Sequence, residues 1–318
     1  MRKIPAFIFC VCLATLLFAA GSACAGKMVG VVFSGDIARY REAHKALVKA
    51  LAHKGFDNDK LEIVTQTPNP DPISWANSIR KVESLGADLL VTYGAPATLA
   101  AIREDISIPI VFVDVYGPRE TGILKNMVAP ELRATGVTSK VPLQTLIRSA
   151  MLIKPVKTMG IIYNSREIGS AYQLKELKRI ASQLGFSVVE INVASSALLE
   201  QALAGISRLD MLFVSESAVV CKSFERIVQK SSATGVPVVS TMPDAAEKGA
   251  LVSLEINPVE QGQLAAEQVA RILSVKKVPQ IPVAIPQKND LIINLRAARH
   301  LGLSVPFQAL SNATRVIK

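Results

Sequence analysis

Short apolar runs alternate with longer amphipathic stretches along most of the chain. The first pair is an apolar run at 29–33 and a stretch at 38–53 with apolar side chains at helical spacing, which ends before Gly55. The pattern predicts further strands and helices in this half at 61–64, 72–85, 88–93, 96–103 and 108–113. Strands that are apolar throughout and separated by helices are typical of a parallel sheet with both faces covered.

The same alternation starts again in the second half of the chain. Its predicted elements lie at 158–163, 167–184, 187–191, 197–206, 211–214, 218–232, 236–239 and 250–254. An extended segment at 134–142 joins the two halves, and a predicted helix at 259–273 precedes a stretch punctuated by Pro279, Pro282 and Pro286. We therefore expect an α/β fold with two parallel-sheet lobes, each of domain size, and a chain that crosses between them more than once.

The N-terminus does not follow this alternation. A basic start precedes an uncharged apolar run at 4–20, and small residues with Ala-x-Ala spacing follow it. This order is typical of a secretory signal peptide cleaved after Ala25, so we expect residues 1–25 to be removed and the protein to be periplasmic. The alternatives are an uncleaved anchor helix, for which the run is at the short limit, and lipidation of Cys24.

Composition narrows the classes of function. Half of the 318 residues are hydrophobic and 19% are charged, which excludes a disordered or fibrous protein. Without the leader, 34 basic residues face 26 acidic ones, a net charge of +8, and the basic residues form no dense cluster. This predicts a solvated basic surface and no nucleic-acid partner. Cys221 is then the single cysteine, so we expect no intrachain disulfide and no cysteine metal site.

Motifs of common enzymes and cofactor sites are absent from the sequence. The chain has no H-E-x-x-H, G-x-S-x-G or G-x-G-x-x-G motif, and residues 117–122 have the glycine spacing of a phosphate-binding loop without its Lys and Ser/Thr. We expect no cofactor and no metal. An enzyme remains an alternative only through carboxylates such as Asp36, Asp114 or Glu216.

Small and polar residues gather at the carboxyl ends of the predicted strands. Ligands of parallel α/β sheets bind in the crevice outside these ends. The same residue types also cap helices, so each one alone is better explained as a cap than as a ligand contact, whereas two facing sets favour a cleft for a small molecule. The candidate ligand-binding residues are Ser34, Tyr93, Gly94, Ala95 and Tyr116 in the first lobe and Asn164, Ser170, Glu216, Ser217 and Thr241 in the second.

Several longer stretches carry a resemblance to a known family. They are Tyr93-Gly-Ala-Pro-Ala-Thr-Leu, Ile108-Pro-Ile-Val-Phe, Ala134-Thr-Gly-Val-Thr, Gly160-Ile-Ile-Tyr-Asn-Ser-Arg-Glu, Gly249-Ala-Leu-Val-Ser, Glu260-Gln-Gly and Leu291-Ile-Ile-Asn-Leu-Arg-Ala-Ala-Arg-His-Leu-Gly. In this order they resemble the substrate-binding proteins of ABC transporters, in the type I periplasmic-binding family that includes tryptophan and tyrosine binders. The resemblance implies two Rossmann-like lobes joined by three crossovers that close over a ligand. We expect lobe one at 26–139 plus 254–278 and lobe two at 140–253 plus 279–318.

Two positions depart from the family pattern. Members often carry Thr-Asp-Pro after the fourth strand, whereas this chain has Tyr116-Gly117-Pro118 and lacks that carboxylate. An Asp-Asn pair of the second lobe appears here as Glu216-Ser217, so Glu216 would bind a ligand ammonium with a longer reach or serve only as a helix cap. These departures argue against an ordinary aromatic amino acid as the ligand.

Three functions are compatible with the sequence. The leading one is an exported, monomeric solute-binding protein that captures an amino acid or similar metabolite and delivers it to an ABC permease. The second is a sensory module of the same fold that presents its ligand state to a membrane receptor, and the third is a carboxylate-dependent enzyme. A permease and an ATPase encoded beside this chain would favour transport, a neighbouring kinase or cyclase would favour sensing, and turnover of the ligand would indicate an enzyme.

Overall fold

The structure is a computed structural model that describes residues 26–318 except 58, 131–132 and 276–279. The predicted leader at 1–25 lies outside the described residues. Five parallel strands form the sheet of the first lobe, in the order β2-β1-β3-β4-β5. The strands are β1 (Lys27–Phe33), β2 (Leu61–Gln66), β3 (Leu89–Tyr93), β4 (Ile110–Val115) and β5 (Ala134–Thr138). Its crossover helices are α1 (Ala38–His53), α2 (Pro72–Ser84) and α3 (Ala95–Arg103).

The second lobe has a sheet of seven strands in the order β12-β11-β10-β9-β8-β6-β7. They are β6 (Thr158–Tyr163), β7 (Ser187–Asn192), β8 (Met211–Val214), β9 (Val238–Ser240), β10 (Val252–Ile256), β11 (Asn289–Asn294) and β12 (Arg315–Ile317). The β10–β11 pair is antiparallel and the other pairs are parallel. The predicted fold class, two α/β lobes with mostly parallel sheets, is confirmed. The sequence pattern did not predict β11 and β12.

The remaining helices lie mainly on the second lobe. They are α4 (Leu143–Ile153), α5 (Ile168–Leu184), α6 (Leu199–Leu203), α7 (Ala218–Cys221), α8 (Phe224–Ala233), α9 (Pro258–Leu273), α10 (Leu295–His300) and α11 (Phe307–Asn312), with short 3₁₀ turns at Ser196–Leu198 and Ile206–Arg208. The single helices predicted at 197–206 and 218–232 are therefore each broken. The second break, between α7 and α8, lets Phe224 begin a new helix with its side chain buried. No described helix is long and apolar enough to span a bilayer.

Each sheet is buried on both faces, which explains its continuous apolar strands. In β1, Val29 and Val31 belong to one buried cluster and Val32 to the cluster on the opposite face. In β6, Ile161 and Ile162 divide in the same way between the two clusters of the second lobe. Because side chains alternate between faces along a strand, a sheet covered on both sides needs apolar residues at every position.

The chain crosses between the lobes three times, as predicted. It leaves the first sheet after β5, returns after β10 to place α9 against α1, and crosses again before β11. The structure places the last two crossings later than expected. The boundary predicted at 254 falls inside β10, and residues 281–284 still pair with the first lobe, where Ala284 N–H donates to the Gly136 carbonyl at 2.8 Å. Sequence periodicity could not locate these points because a strand reads the same in either sheet.

Candidate functional site

A cavity of about 340 Å³, counting the space open to solvent at its mouth, lies between the two lobes and is called the inner cavity below. It lies at the carboxyl ends of β3 and β4 in the first lobe and of β6 and β8 in the second. This is the crevice in which parallel α/β sheets bind their ligands. The lining residues are Arg39, Tyr40, Ala95, Pro96, Asp114, Tyr116, Glu167, Gly169, Ser170, Glu216, Ser217 and Ala218.

Arg39, in the first turn of α1, faces one carboxylate from each lobe. Its Nε lies 2.8 Å from Oδ2 of Asp114, and its Nη2 lies 3.6 Å from Oε2 of Glu216. The three side chains are 10%, 5% and 6% exposed, respectively. Burial opposes a charge on Arg39, but the two carboxylates outweigh it and raise the pKa of the guanidinium. Arg39 therefore stays ionised and joins the lobes across the inner cavity.

Glu216 is the acidic group of this site that titrates near neutral pH. Burial, together with the nearby Asp114, raises the pKa of Glu216 to about 7, and Arg39 limits the rise. The carboxylate accepts hydrogen bonds from the hydroxyls of Thr241 at 2.9 Å and Ser139 at 3.3 Å. Its charge is therefore sensitive to any charged group that enters the inner cavity.

Asp114 reaches the inner cavity because β4 is irregular at its end. The β4–β5 register shifts between Val113 and Val115, and Asp114 between them has a φ of 60°, in the left-handed region that Asp tolerates better than most residues. A bulge of this kind re-aims a side chain. The stretch Tyr116-Gly117-Pro118 lacks the family carboxylate, but Asp114, near the end of β4, supplies another carboxylate to the cleft.

Glu167 adds a third carboxylate on the second-lobe side. It accepts hydrogen bonds from the Ser217 hydroxyl at 2.7 Å, the Ala218 backbone N–H at 2.9 Å and the Asn164 side-chain amide at 2.8 Å. These donors are neutral, and Glu167 forms no ion pair with another described residue. Its position is fixed while its negative charge has no cationic partner.

The structure places half of the candidate residues against the inner cavity and half behind it. Those that line it are Ala95, Tyr116, Ser170, Glu216 and Ser217. Those behind it are Ser34, which is bonded to Ala97 of α3, and Tyr93, Gly94, Asn164 and Thr241, each of which is hydrogen bonded to, packed against or adjacent to a lining residue.

The candidate residues that lie behind the inner cavity on the first-lobe side are part of the core of the first lobe. The Ser34 hydroxyl accepts a hydrogen bond from the Ala97 N–H at 2.9 Å and so holds the start of α3. Tyr93 is fully buried, with its ring centroid 4.6 Å from that of Phe33. Gly94 has a φ of 85° and touches the Tyr40 hydroxyl so closely that a Cβ would overlap it. The Tyr93 ring therefore does not border the inner cavity.

Contacts at the rim connect the two lobes in a closed arrangement. The Tyr116 hydroxyl of the first lobe donates to Glu176 Oε2 of α5 at 2.8 Å. Lys140, at the first crossover, lies 2.6 Å from Glu120 and places its Nζ 5.7 Å from the centroid of the Tyr172 ring. The contacts that reach α5, from Tyr116 to Glu176 and from Lys140 to Tyr172, would break if the lobes separated, so they add to the Arg39–Glu216 pair in favouring closure.

Arg39 also borders a second interlobe space of about 620 Å³, called the outer cavity below. Its other walls are the residues that precede and begin α1, and Cys221, Phe224 and Met242 of the second lobe. Burial raises the pKa of Cys221 to about 11, so the thiol stays protonated near neutral pH. Arg39 thus separates the two cavities of the closed cleft.

Sequence reasoning missed Glu167 and two further polar side chains of this site, and the latter two had a signal in the sequence. Arg39 lies four residues before Ala43, on the face of α1 that buries Ala43 and Leu47. A basic residue at helical spacing from buried apolar residues was therefore the sequence signal for Arg39. Gln173 is fully buried on α5, where its side-chain oxygen accepts the Glu216 N–H at 2.7 Å. A polar residue in register with a buried face must have a partner, and that was the second signal.

Known proteins share this architecture over most of the chain. The chain is 26% identical, over 80% of its length and 74% of the relative's, to a tyrosine-binding protein of Clostridioides difficile (strain R20291). A domain from Streptococcus pneumoniae in complex with L-Trp matches with a TM-score of 0.87 and 23% identity, covering 92% of this chain and 100% of that one.

A substrate binding protein with adhesive properties from Clostridium difficile, in a ligand-free and open structure, matches with a TM-score of 0.69 and 26% identity, covering 92% of this chain and 99% of that one. The TM-score is higher for the structure in complex with L-Trp than for the ligand-free, open one. Residues 29–317 match the model of the ABC transporter substrate binding protein family. The chain belongs to the family of ABC transporter substrate binding proteins.

Proposed function

We propose that this chain is an exported solute-binding protein that captures an amino acid or a closely related metabolite between its lobes and delivers it to an ABC permease. The observation that carries the proposal is the inner cavity, where charged groups from both lobes meet at the carboxyl ends of the strands. Family membership and the tyrosine-binding relative support the amino acid class. A ligand that touches both lobes favours the closed state by its difference in affinity for the two states.

Thermal unfolding of the chain from Gly26 tests ligand capture. The protein is scanned against amino acids, nucleosides, sugars and inorganic anions, after partial unfolding and refolding to remove carried-over ligand. A ligand present at 100 times its dissociation constant stabilises the folded state by about 2.7 kcal/mol. We expect stabilisation by amino acids or their close derivatives, and a scan without any stabilising compound would contradict the proposal.

Substitution at Gly169 tests whether the ligand binds in the inner cavity. A Cβ at Gly169 would lie 3.4 Å from Cβ of Tyr116, so Gly169→Phe would place its ring in the space between the lobes. Gly205→Phe is the matched control, because a Cβ there meets no atom within 4 Å. We expect the first variant to abolish the ligand-induced shift and the second to retain it. Equal shifts in both would place the ligand elsewhere.

Delivery to a permease and export are tested in cells. Deletion of the gene should reduce uptake of the stabilising ligand, and a copy with the leader should restore uptake while a copy from Gly26 should not. Unchanged uptake after deletion, with no loss of a ligand-dependent response, would contradict the transport role. Loss of a response with unchanged uptake would indicate the sensory alternative.

A further inference from the structure

The inner cavity carries a charge opposite to that of the whole chain. Excluding the leader, the chain has a net charge of +8, from 34 basic and 26 acidic residues. Among the described residues that line the inner cavity, however, Arg39 is the single cation, and three are carboxylates: Asp114, Glu167 and Glu216. A pocket with an excess of buried carboxylates attracts cations, because opposite charge relieves the cost of their burial.

The partners of these carboxylates are incomplete. Oδ2 of Asp114 is buried and makes no hydrogen bond, because the Arg39 Nε lies 2.8 Å away without the alignment that a hydrogen bond needs. Glu167 has neutral donors only, and Glu216 has its cationic partner at 3.6 Å. A buried carboxylate oxygen that has no hydrogen-bond donor is stabilised when a donor is supplied. The site therefore retains acceptor capacity that a ligand donor can fill.

Neighbouring charges do not cancel this excess. Lys222 and Lys248 line the outer cavity and not the inner one, together with Asp36 and Asp244. At the rim, Lys140 is paired with Glu120, and Glu176 accepts a hydrogen bond from the Tyr116 hydroxyl. The Tyr40 and Tyr116 side chains line the inner cavity as well, and aromatic faces attract organic cations.

We propose, building on the capture function above, that the ligand of this cleft is a small organic cation whose positive charges outnumber its negative ones. A basic amino acid or an alkyl diamine has this chemistry. Its ammonium group binds among Asp114, Glu167 and Glu216, which lack a full complement of donors. A neutral aromatic amino acid, as bound by the relatives named above, would leave the charge excess of this cavity uncompensated.

Proton release gives this inference a second readout. An ammonium beside Glu216 favours its ionised form, so binding near pH 7 should release a fraction of a proton. The groups that face Glu216 are Arg39, Asp114 and Tyr116 from the first lobe, Ser139 from the first crossover, and Gln173, Cys221 and Thr241 from the second lobe. Calorimetry in two buffers of different ionisation enthalpy measures the released proton directly.

The test compares probes of matched size and different charge on the ligand-stripped chain from Gly26. L-lysine, L-arginine and putrescine are the cationic probes. L-leucine, L-tryptophan and L-tyrosine are neutral, and L-glutamate is acidic, all at constant ionic strength. We expect binding by at least one cationic probe, with affinity at least tenfold above that of every neutral probe, and proton release at pH 6.5. Asp114→Asn should weaken that binding at least tenfold, whereas Glu62→Gln, which removes an exposed carboxylate on β2, should leave it unchanged.

The outcomes separate this inference from the function on which it rests. Binding of neutral amino acids as tightly as cationic ones, or more tightly, would overturn the charge inference and leave ligand capture intact. Cation binding that survives Asp114→Asn unchanged would also overturn it, because the ligand would then bind elsewhere. No binding of any amino acid or amine would contradict both the inference and the amino acid class of the proposed function.

Discussion

Replacing Glu216 by glutamine measures the energetic cost of a buried carboxylate at the junction of the lobes. Glutamine has the shape of the protonated acid and can still accept from Thr241, but it carries no charge. In the folded protein, burial raises the pKa of Glu216 from 4.5 to about 7. Between these values the folded state binds more protons than the unfolded state, so the free energy of unfolding falls as the pH rises.

The size of the effect follows from the same linkage. At about 1.4 kcal/mol for each pH unit between the two pKa values, the ionised carboxylate costs the wild-type protein about 3 kcal/mol above pH 8. This value is a ceiling, because separation of the lobes would return Glu216 to water. We therefore expect the free energy of unfolding of Glu216→Gln, relative to that of wild type, to increase by up to about 3 kcal/mol between pH 5 and pH 8.5.

Urea unfolding of the empty protein at pH 5 and pH 8.5 provides the assay. Burial also raises the pKa of Glu255 to about 7, but Glu255 is present in both proteins and its contribution cancels in the difference. Glu62→Gln serves as the control for loss of one exposed negative charge. A Glu216→Gln variant that is less stable than wild type at pH 8.5 would refute the reasoning, since the attraction of Arg39 would then outweigh the cost of burial.

Two further substitutions test the packing and the closure of the lobes. Gly262→Ala should lower the free energy of unfolding in urea by about 1–3 kcal/mol, because a Cβ there would overlap the backbone of the facing α1. Gly205→Ala, where a Cβ meets open space, should have little effect. Equal stabilities of the two variants would contradict the close contact at Gly262. Tyr116→Phe should weaken the first ligand found by thermal scanning about fivefold in calorimetry, since it removes one interlobe hydrogen bond of about 1 kcal/mol. Tyr163→Phe, which removes a hydroxyl bonded within one lobe, should leave affinity unchanged, and equal losses in the two tyrosine variants would argue against a role in closure.

The closed arrangement of the lobes has an energetic consequence for binding. The Arg39–Glu216 pair and the Tyr116–Glu176 hydrogen bond connect the lobes directly. Direct contacts between the lobes reduce the ordering cost of binding, but the ligand must first gain entry. Salt screens ion pairs, so lobes held together by ion pairs would open more readily as the salt concentration rises. The rate at which the ligand enters the cleft would then depend on ionic strength, which contacts between apolar surfaces would not cause.

Much of the architecture followed from local patterns in the sequence. Strands such as 29–33 are apolar at every position because both faces of each sheet are covered, and the helix at 38–53 is bounded by the polar residues before it and by Gly55. Parallel strands with crossover helices place their carboxyl ends at one edge. The sequence therefore indicated where a cleft would lie and which strand ends would face it.

The sequence by itself determined the two lobes, the succession of most strands and helices along the chain and the general place of the site. Only the tertiary structure decided which side chains enter the inner cavity. A one-residue bulge in β4 turns Asp114 into it, and side chains packed behind the cavity, such as Tyr93, look the same in the sequence as those that line it. Arg39 shows the reason most clearly, because its two carboxylate partners, Asp114 and Glu216, lie 75 and 177 residues further along the chain. Local propensity determines the helices and strands, whereas the tertiary fold determines which charged residues, distant in the sequence, meet between the two lobes.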